Sequence, residues 1–364
     1  MDDLTWNTKL AQRKLQRRRE FWLLILLAAV LLGFGLWHFF YACTPEYALR
    51  ELQSAVRRKD SAAISRYVNL ELVSSRAYDD LTRNMFAGDA TLSPKTKVLF
   101  EKFYLMVKPQ FIDGTKTAIL DSVKAGEWMP PNGDNILKGR QLGIDYDYFI
   151  ERSQLRNTEF VKTISVQRDG HSATAAVQVK DTYTQTPFTM ELIMEQQEDG
   201  HWQVAYIKNY RDYLDAIEPL QNQDIADYLA ATRTIVDTYN QTFQRQQQKF
   251  KALTATAQGR LSDSQKSNLH SFLTQEVIPT LNQRQDELDA IAVPAGAQYI
   301  SQLRSQSTRI TIAAWQHFAA GIAEDTQSEL ETAETLHKEE LDIDRRIDDI
   351  IKHTAITKNA PSIP

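Results

Sequence analysis

Only one cysteine, Cys43, stands among 364 residues, so no intrachain disulfide framework is available. The usual catalytic signatures are missing too. There is no G-x-G-x-x-G, phosphate loop, G-x-S-x-G, H-E-x-x-H or paired C-x-x-C. Chemistries that depend on a glycine cradle, a nucleophile elbow or a spaced ligand set therefore lose their sequence support. No segment recurs at a fixed period, which argues against solenoids and propellers. His317 and His337 fall on separate predicted helices, and no Glu-x-x-His pair repeats as a carboxylate-bridged site needs. No metal and no cofactor is expected. A net positive balance is confined to the start of the chain. The net charge is −5, and the first twenty residues carry six basic and three acidic groups, which leaves −8 for the remainder. An acidic body does not suit a polyphosphate, so nucleic acid is not an expected partner.

Apolar sequence is concentrated in one place. Residues Phe21 to Ala42, FWLLILLAAVLLGFGLWHFFYA, form an uncharged run of 22 residues. As a helix this run would extend about 33 Å, enough for a bilayer core of ~30 Å. Phe21 and Trp22 mark one end, and Trp37, Phe40 and Tyr41 the other, as interfacial aromatic belts do. Arg13, Lys14, Arg17, Arg18 and Arg19 precede the run. The positive-inside rule then predicts a cytoplasmic segment 1–20, a single membrane helix 21–42 and an extracytoplasmic bulk. The same basic residues could contact anionic lipid heads. A cleaved signal peptide fits less well, because the run is long and Phe40-Tyr41-Ala42 is a poor cut site. Lipidation at Cys43 is the sharper alternative, although Phe40 and Tyr41 occupy positions where smaller residues are usual.

From Thr44 to Tyr213 the pattern is helices first, strands second. Thr44-Pro45-Glu46 reads as a helix start, Asp60 as a second cap, and Leu70 opens a third helix. Lys95 to Val123 is helical in period, and Gly126 to Gly143 reads as a loop. After Gly143 the period becomes two. Phe160–Gln167, then Ala173, Ala175, Val177 and Val179, then Phe188, Met190, Leu192 and Met194, then Trp202, Val204 and Tyr206 predict four strands. Their turns, at Asp169-Gly170 and Asp199-Gly200, are short enough only for an antiparallel meander. The segment is predicted to be α+β.

The run TPEYALRELQSAVRRKDSAAISRYVNLELV, with the meander that ends EDGHWQVAYIKNY, resembles the nuclear-transport-factor-2-like (cystatin-like) cone fold. It is most similar to membrane-attached bacterial domains of unknown function with that shape. The likeness covers roughly half of the chain beyond the anchor and implies a fold without implying an activity. An enzyme on this cone would need an acid or a histidine inside it. Asp145 and Asp147 are the nearest candidates, placed where the first strand is expected to begin. The plainer reading of Asp145 to Tyr148 is a strand with one wet edge. His171 and His201 flank predicted turns, and Trp202 continues the inward alternation as a core residue.

Residues 214–357 read as helical, with a fraying tail at 358–364. Ile225, Leu229, Thr232, Val236, Tyr239, Phe243, Gln246, Phe250 and Leu253 hold a 4,3 spacing, the seam of a coiled-coil-like helix. Pro279 is expected to bend the following helix near Thr274 to Glu276. Short breaks near Gly259 and at Val293–Gly296 predict an antiparallel four-helix bundle. The composite expectation is a single-pass, membrane-anchored, extracytoplasmic binding or scaffold protein of the cell envelope, non-catalytic, whose partner is another envelope protein or a wall component. Two alternatives stand beside it. One is a receptor or isomerase/dehydratase-like enzyme using the cone, and the other is a subunit that self-associates through its bundle.

Overall fold

The structure is a computed structural model and describes residues 22–23, 25–37, 41–83, 93–129, 146–255 and 261–359. Residues 25–37 are helical and fully on the surface. Among the described residues, no helix is long and apolar enough to cross a membrane. The two ends of the expected anchor, Phe21 and residues 38–40, lie outside the described residues, as do Arg13, Lys14, Arg17, Arg18 and Arg19. Trp22, Trp37 and Tyr41 are exposed.

The chain is α+β. Helix α1 spans Pro45–Arg58, α2 Ser61–Tyr67, α3 Leu70–Thr82, α4 Pro94–Ala125 and α5 Tyr146–Arg152. The expected caps close as hydrogen bonds. Thr44 Oγ1 accepts from the Tyr47 amide at 3.2 Å, and Asp60 Oδ1 accepts from that of Ala63 at 3.0 Å. The last three residues of the stretch Asp145 to Tyr148, expected to begin the first strand, fall otherwise. Tyr146, Asp147 and Tyr148 start α5, because Tyr146, Phe149 and Ile150 recur at helical spacing and all three are buried.

Strands β1 (Thr158–Asp169), β2 (Ser172–Asp181), β3 (Pro187–Gln196) and β4 (Trp202–Ile207) form an antiparallel sheet in that order. Ala173, Ala175, Val177 and Val179 are all buried on one face, as the alternation requires. Gly170 and Gly200 turn the chain at φ of 60° and 86°, where a Cβ would be strained. A bulge between Ile193 and Met194 shifts the register against β4. The β4 edge is closed by a parallel bridge from Val68, and the Asn69 amide donates to the Val204 carbonyl at 2.9 Å. Helices cover the apolar face in two patches. Ala48 and Leu49 of α1 pack with Trp202, Met194 and Val204. Tyr78, Phe111, Tyr146 and Phe149 pack with Val177, Val179 and Met190.

Helix α6 runs without interruption from Tyr210 to Thr254, 45 residues, through Pro219. The division drawn between residues 213 and 214 falls inside it. Tyr210, Tyr213, Leu214 and Ile217 belong to the core beneath the sheet, while Ile225 and Tyr228 belong to the bundle core. The bundle continues with α7 (Asp263–Phe272), a π-helical turn Leu273–Val277, α8 (Ile278–Asp289), α9 (Gln298–Glu324) and α10 (Gln327–Asn359). The π turn lies immediately before Pro279, where the bend was expected; the Ile278 amide reaches back five residues to the Leu273 carbonyl.

Because one helix serves both cores, damage at their junction should reach both. Ile217 is wholly buried. Ile217→Ala is expected to cost roughly 2–5 kcal/mol and to lower the melting temperature of sheet and helices together in a single transition. Two separated transitions in calorimetry, with only one displaced, would contradict this.

Candidate functional site

The seam of α6 is filled at its start and open further along. Ile225, Thr232 and Tyr239 are buried, but Phe243, Gln246 and Phe250 are only half-buried. They face a half-open groove of about 960 Å³ lined from α6, α7 and α8 with the π turn between them, α9 and α10. That volume falls within the ~300–1,000 Å³ range of small-molecule sites. Phe250, Phe272, Leu273, Val277 and Trp315 supply an apolar wall, with Phe250 and Trp315 edge to face at 5.7 Å.

Two arginines stand in this wall. Arg304 of α9 is 9% exposed. Its Nη1 donates to Thr232 Oγ1 at 2.9 Å, and its guanidinium carbon lies 5.2 Å from the Tyr228 ring centre. Arg284 of α8 lies 6.0 Å from the Phe243 ring centre, and its Nε is buried without a hydrogen-bond partner. Burial, and then the charge of Arg304, pull Arg284 below the ordinary arginine value; Asp344 opposes the shift. Gln246 Oε1 is likewise buried and unpartnered. Acidic groups line the same groove. Asp344 and Asp348 are exposed on α10, Asp344 accepting from Ser307 Oγ at 2.8 Å, and Glu340 pairs with His337 at 2.9 Å. The groove lining thus combines arginines, carboxylates and aromatic rings.

A second polar cluster lies where the sheet domain meets the bundle. Glu218 of α6 is reached by His353 Nε2 of α10 at 2.5 Å and by Arg152 of α5 at 3.8 Å. Burial alone would raise the Glu218 carboxyl, but the His353 hydrogen bond and the Arg152 charge bring it below its ordinary value. Nearby Glu151 is 4% exposed, and neither of its oxygens completes a hydrogen bond. Burial pushes its carboxyl up to about 7; Arg156, 3.8 Å away, and the nearby Asn157 and Tyr183 temper the rise, and Asp181 adds to it.

The residues singled out from sequence are not brought together here. Asp145 lies outside the described residues, and Asp147 is the second residue of α5. Cys43 is half-buried; its carbonyl accepts from Trp202 Nε1 at 3.0 Å, and a Cβ on Gly200 would lie 3.3 Å from its sulfur. Trp202 is fully buried, with the Arg168 guanidinium 5.0 Å from its ring centre. His171 pairs with Gln196 at 3.0 Å, and His201 pairs with Asp199 in its own turn. His317 lies 2.5 Å from Glu329. Among the described residues, no group of three or more potential ligands could hold a metal. Arg284 and Arg304 were not foreseen, yet a signal exists. Arg284 stands three and four residues from the buried Leu281 and Leu288, and Arg304 four residues from each of the buried Ile300 and Thr308, so both fall on the inward stripe of their helices.

A family model described as "Protein of unknown function (DUF2939)" matches residues 35–121. The matched stretch covers α1 to α3 and most of α4, and stops short of the sheet and the bundle. No nuclear-transport-factor-2-like or cystatin-like family model is shown. No curated protein and no solved structure matches the chain.

Glu151 gives a pH test with a definite sign. Its folded pKa of about 7 lies above the ordinary value of 4.5. Its contribution to stability is therefore fully present below pH 4.5 and is lost as pH rises toward 7. Ionising it in place costs on the order of 3 kcal/mol. Glu151→Gln should flatten that part of the denaturation midpoint against pH and make the protein more stable than wild type at pH 8. An unchanged difference between the two proteins from pH 4 to 8 would contradict the assignment.

Proposed function

We propose that this protein is a non-catalytic binding protein of the cell envelope. Residues 21–42 hold it to the membrane, residues 1–20 remain cytoplasmic, and the bulk of the chain works outside. The single observation that carries the binding role is the open groove lined by the helices of the bundle, with the buried Arg304 and the half-buried Arg284 set in an apolar wall. The anchor is supported by the uncharged sequence of the run, by the exposure of every residue from 25 to 37, and by the six basic residues before it. Rings at its outer end also meet the folded body, Trp37 and Tyr41 lying 6.3 and 5.4 Å from Tyr47 of α1. The likeness to membrane-attached cone domains of unknown function fits this arrangement. A catalytic role for the sheet face finds less support, since Tyr78, Phe111, Tyr146, Phe149 and Tyr213 fill it. The partner on this reading is a molecule of the envelope that reaches the groove from outside.

The orientation is testable in intact cells. Cys43→Ser combined with Gln247→Cys leaves one thiol, on an exposed position that lines the groove. A membrane-impermeant maleimide should label it without permeabilisation, and a reporter fused after Pro364 should be active only outside the cytoplasm. Labelling only after permeabilisation would overturn the proposal.

A further inference from the structure

We infer that the bundle groove binds a linear amphiphile with an anionic head, specifically a medium- or long-chain carboxylate, with Arg284 and Arg304 holding the carboxylate and the aromatic wall holding the chain. The inference rests on the binding role proposed above and names its ligand class.

Three observations point to this ligand. The first is the state of the arginines. A guanidinium cannot shed its charge, so a buried one needs an anion, an array of acceptors or water. Arg304 has a single hydroxyl acceptor, Thr232, and the Tyr228 face. Arg284 has the Phe243 face and a buried Nε that donates to nothing. Asp344 and Asp348 of α10 line the same groove, and the Asp344 charge acts on Arg284, but neither forms an ion pair with either arginine. A carboxylate offers two oxygens and about four lone pairs, the complement of forked guanidinium donors.

The second observation is the polarity of the groove along its axis. The arginines lie beside Tyr228, Thr232 and Phe243, toward the start of α6. Phe250, Phe272 and Trp315 lie beyond them, toward its end. A head at one end and a greasy channel at the other select a molecule with the same order. The lining reaches along α6 from Val236 to Thr254, which is about 27 Å of helix. An elongated channel of that reach suits an extended chain better than a compact ring system.

The third is the charge on the lining. Asp344, Asp348 and Glu340 line the same groove, and none of them forms an ion pair with Arg284 or Arg304. A cationic amphiphile would find partners in these carboxylates but would leave the guanidinia without an anion. An anion that reaches both guanidinia meets them in surroundings of low dielectric, where each contact is strengthened.

The test uses the full chain in phosphatidylcholine nanodiscs, with dodecanoate labelled with carbon-13 at its carboxyl as the probe. Wild-type protein should give a saturable bound carboxylate resonance, distinct from that of probe in empty nanodiscs. Arg284→Gln with Arg304→Gln should weaken binding by roughly tenfold or more, the loss expected for a charge-assisted contact. Thr311→Trp, which leaves both arginines and fills the groove, should abolish the bound signal while helicity and melting stay near wild type. Dodecyltrimethylammonium should not displace the probe. The inference is overturned if no saturable signal forms, if the double glutamine variant binds equally well, or if the trimethylammonium compound displaces dodecanoate at equal concentration. Failure here, with Gln247→Cys still labelled from outside, removes the ligand class alone. Failure of that labelling removes the envelope reading instead.

Discussion

Everything in the described structure depends on the continuity of α6. Its first two turns bury Tyr210, Tyr213, Leu214 and Ile217 beneath the sheet, and its later turns form one wall of the bundle groove. Pro219 sits between these parts without ending the helix. A proline there removes one backbone donor and crowds the preceding turn, so packing on both sides must hold the helix together. It does so through Glu218, which collects His353 from α10 and Arg152 from α5, and through Gln221, which accepts from Gln154 Nε2 at 2.6 Å. The Gly296 amide adds a tie to Asp224 at 2.9 Å; a side chain at 296 would press on the α6 backbone at Gln221. The groove is therefore fixed in position relative to the sheet and to the chain entering at Thr44.

Among the described residues, Glu151 and the two groove arginines meet the cost of burying charge in different ways. Glu151 can escape the cost of burial by taking up a proton, and its carboxyl is raised accordingly. Arg284 and Arg304 have no such escape within any ordinary pH range. Aromatic faces and one threonine hydroxyl meet part of their demand. A purely structural bundle would be better served by leucine at these positions, since replacing buried ions by apolar groups is often neutral or stabilising. Keeping two guanidinia on an open apolar groove makes sense if something with negative charge visits it.

Much of this was legible in the letters. Alternation from Ala173 to Val179 fixed the inner face of β2, and Thr44 and Asp60 marked helix starts by their ability to accept a backbone hydrogen bond. Pro279 signalled the irregular turn before it, because a residue without an amide must disturb the hydrogen-bond ladder. Other features were not legible. Tyr146-Asp147-Tyr148 alternates like a strand over three residues, and only burial of Phe149 and Ile150 behind it selects a helix. The junction at residues 213 and 214 was invisible because periodicity records which face is buried and not against which core. The arginines were passed over because charge alone suggests a wet surface; their spacing with Leu281, Leu288, Ile300 and Thr308 was the better guide.

Native-state hydrogen exchange along α6 tests the central claim most directly. If one helix couples the two cores, amides from Leu214 to Asn222 should exchange only through the same opening that exposes β2 and the bundle seam at Ile225 and Tyr228. Their opening free energies should then agree and fall together in denaturant. Fast local exchange between residues 214 and 222, with slow and unequal protection on either side, would show two bodies joined by a hinge and would contradict the account.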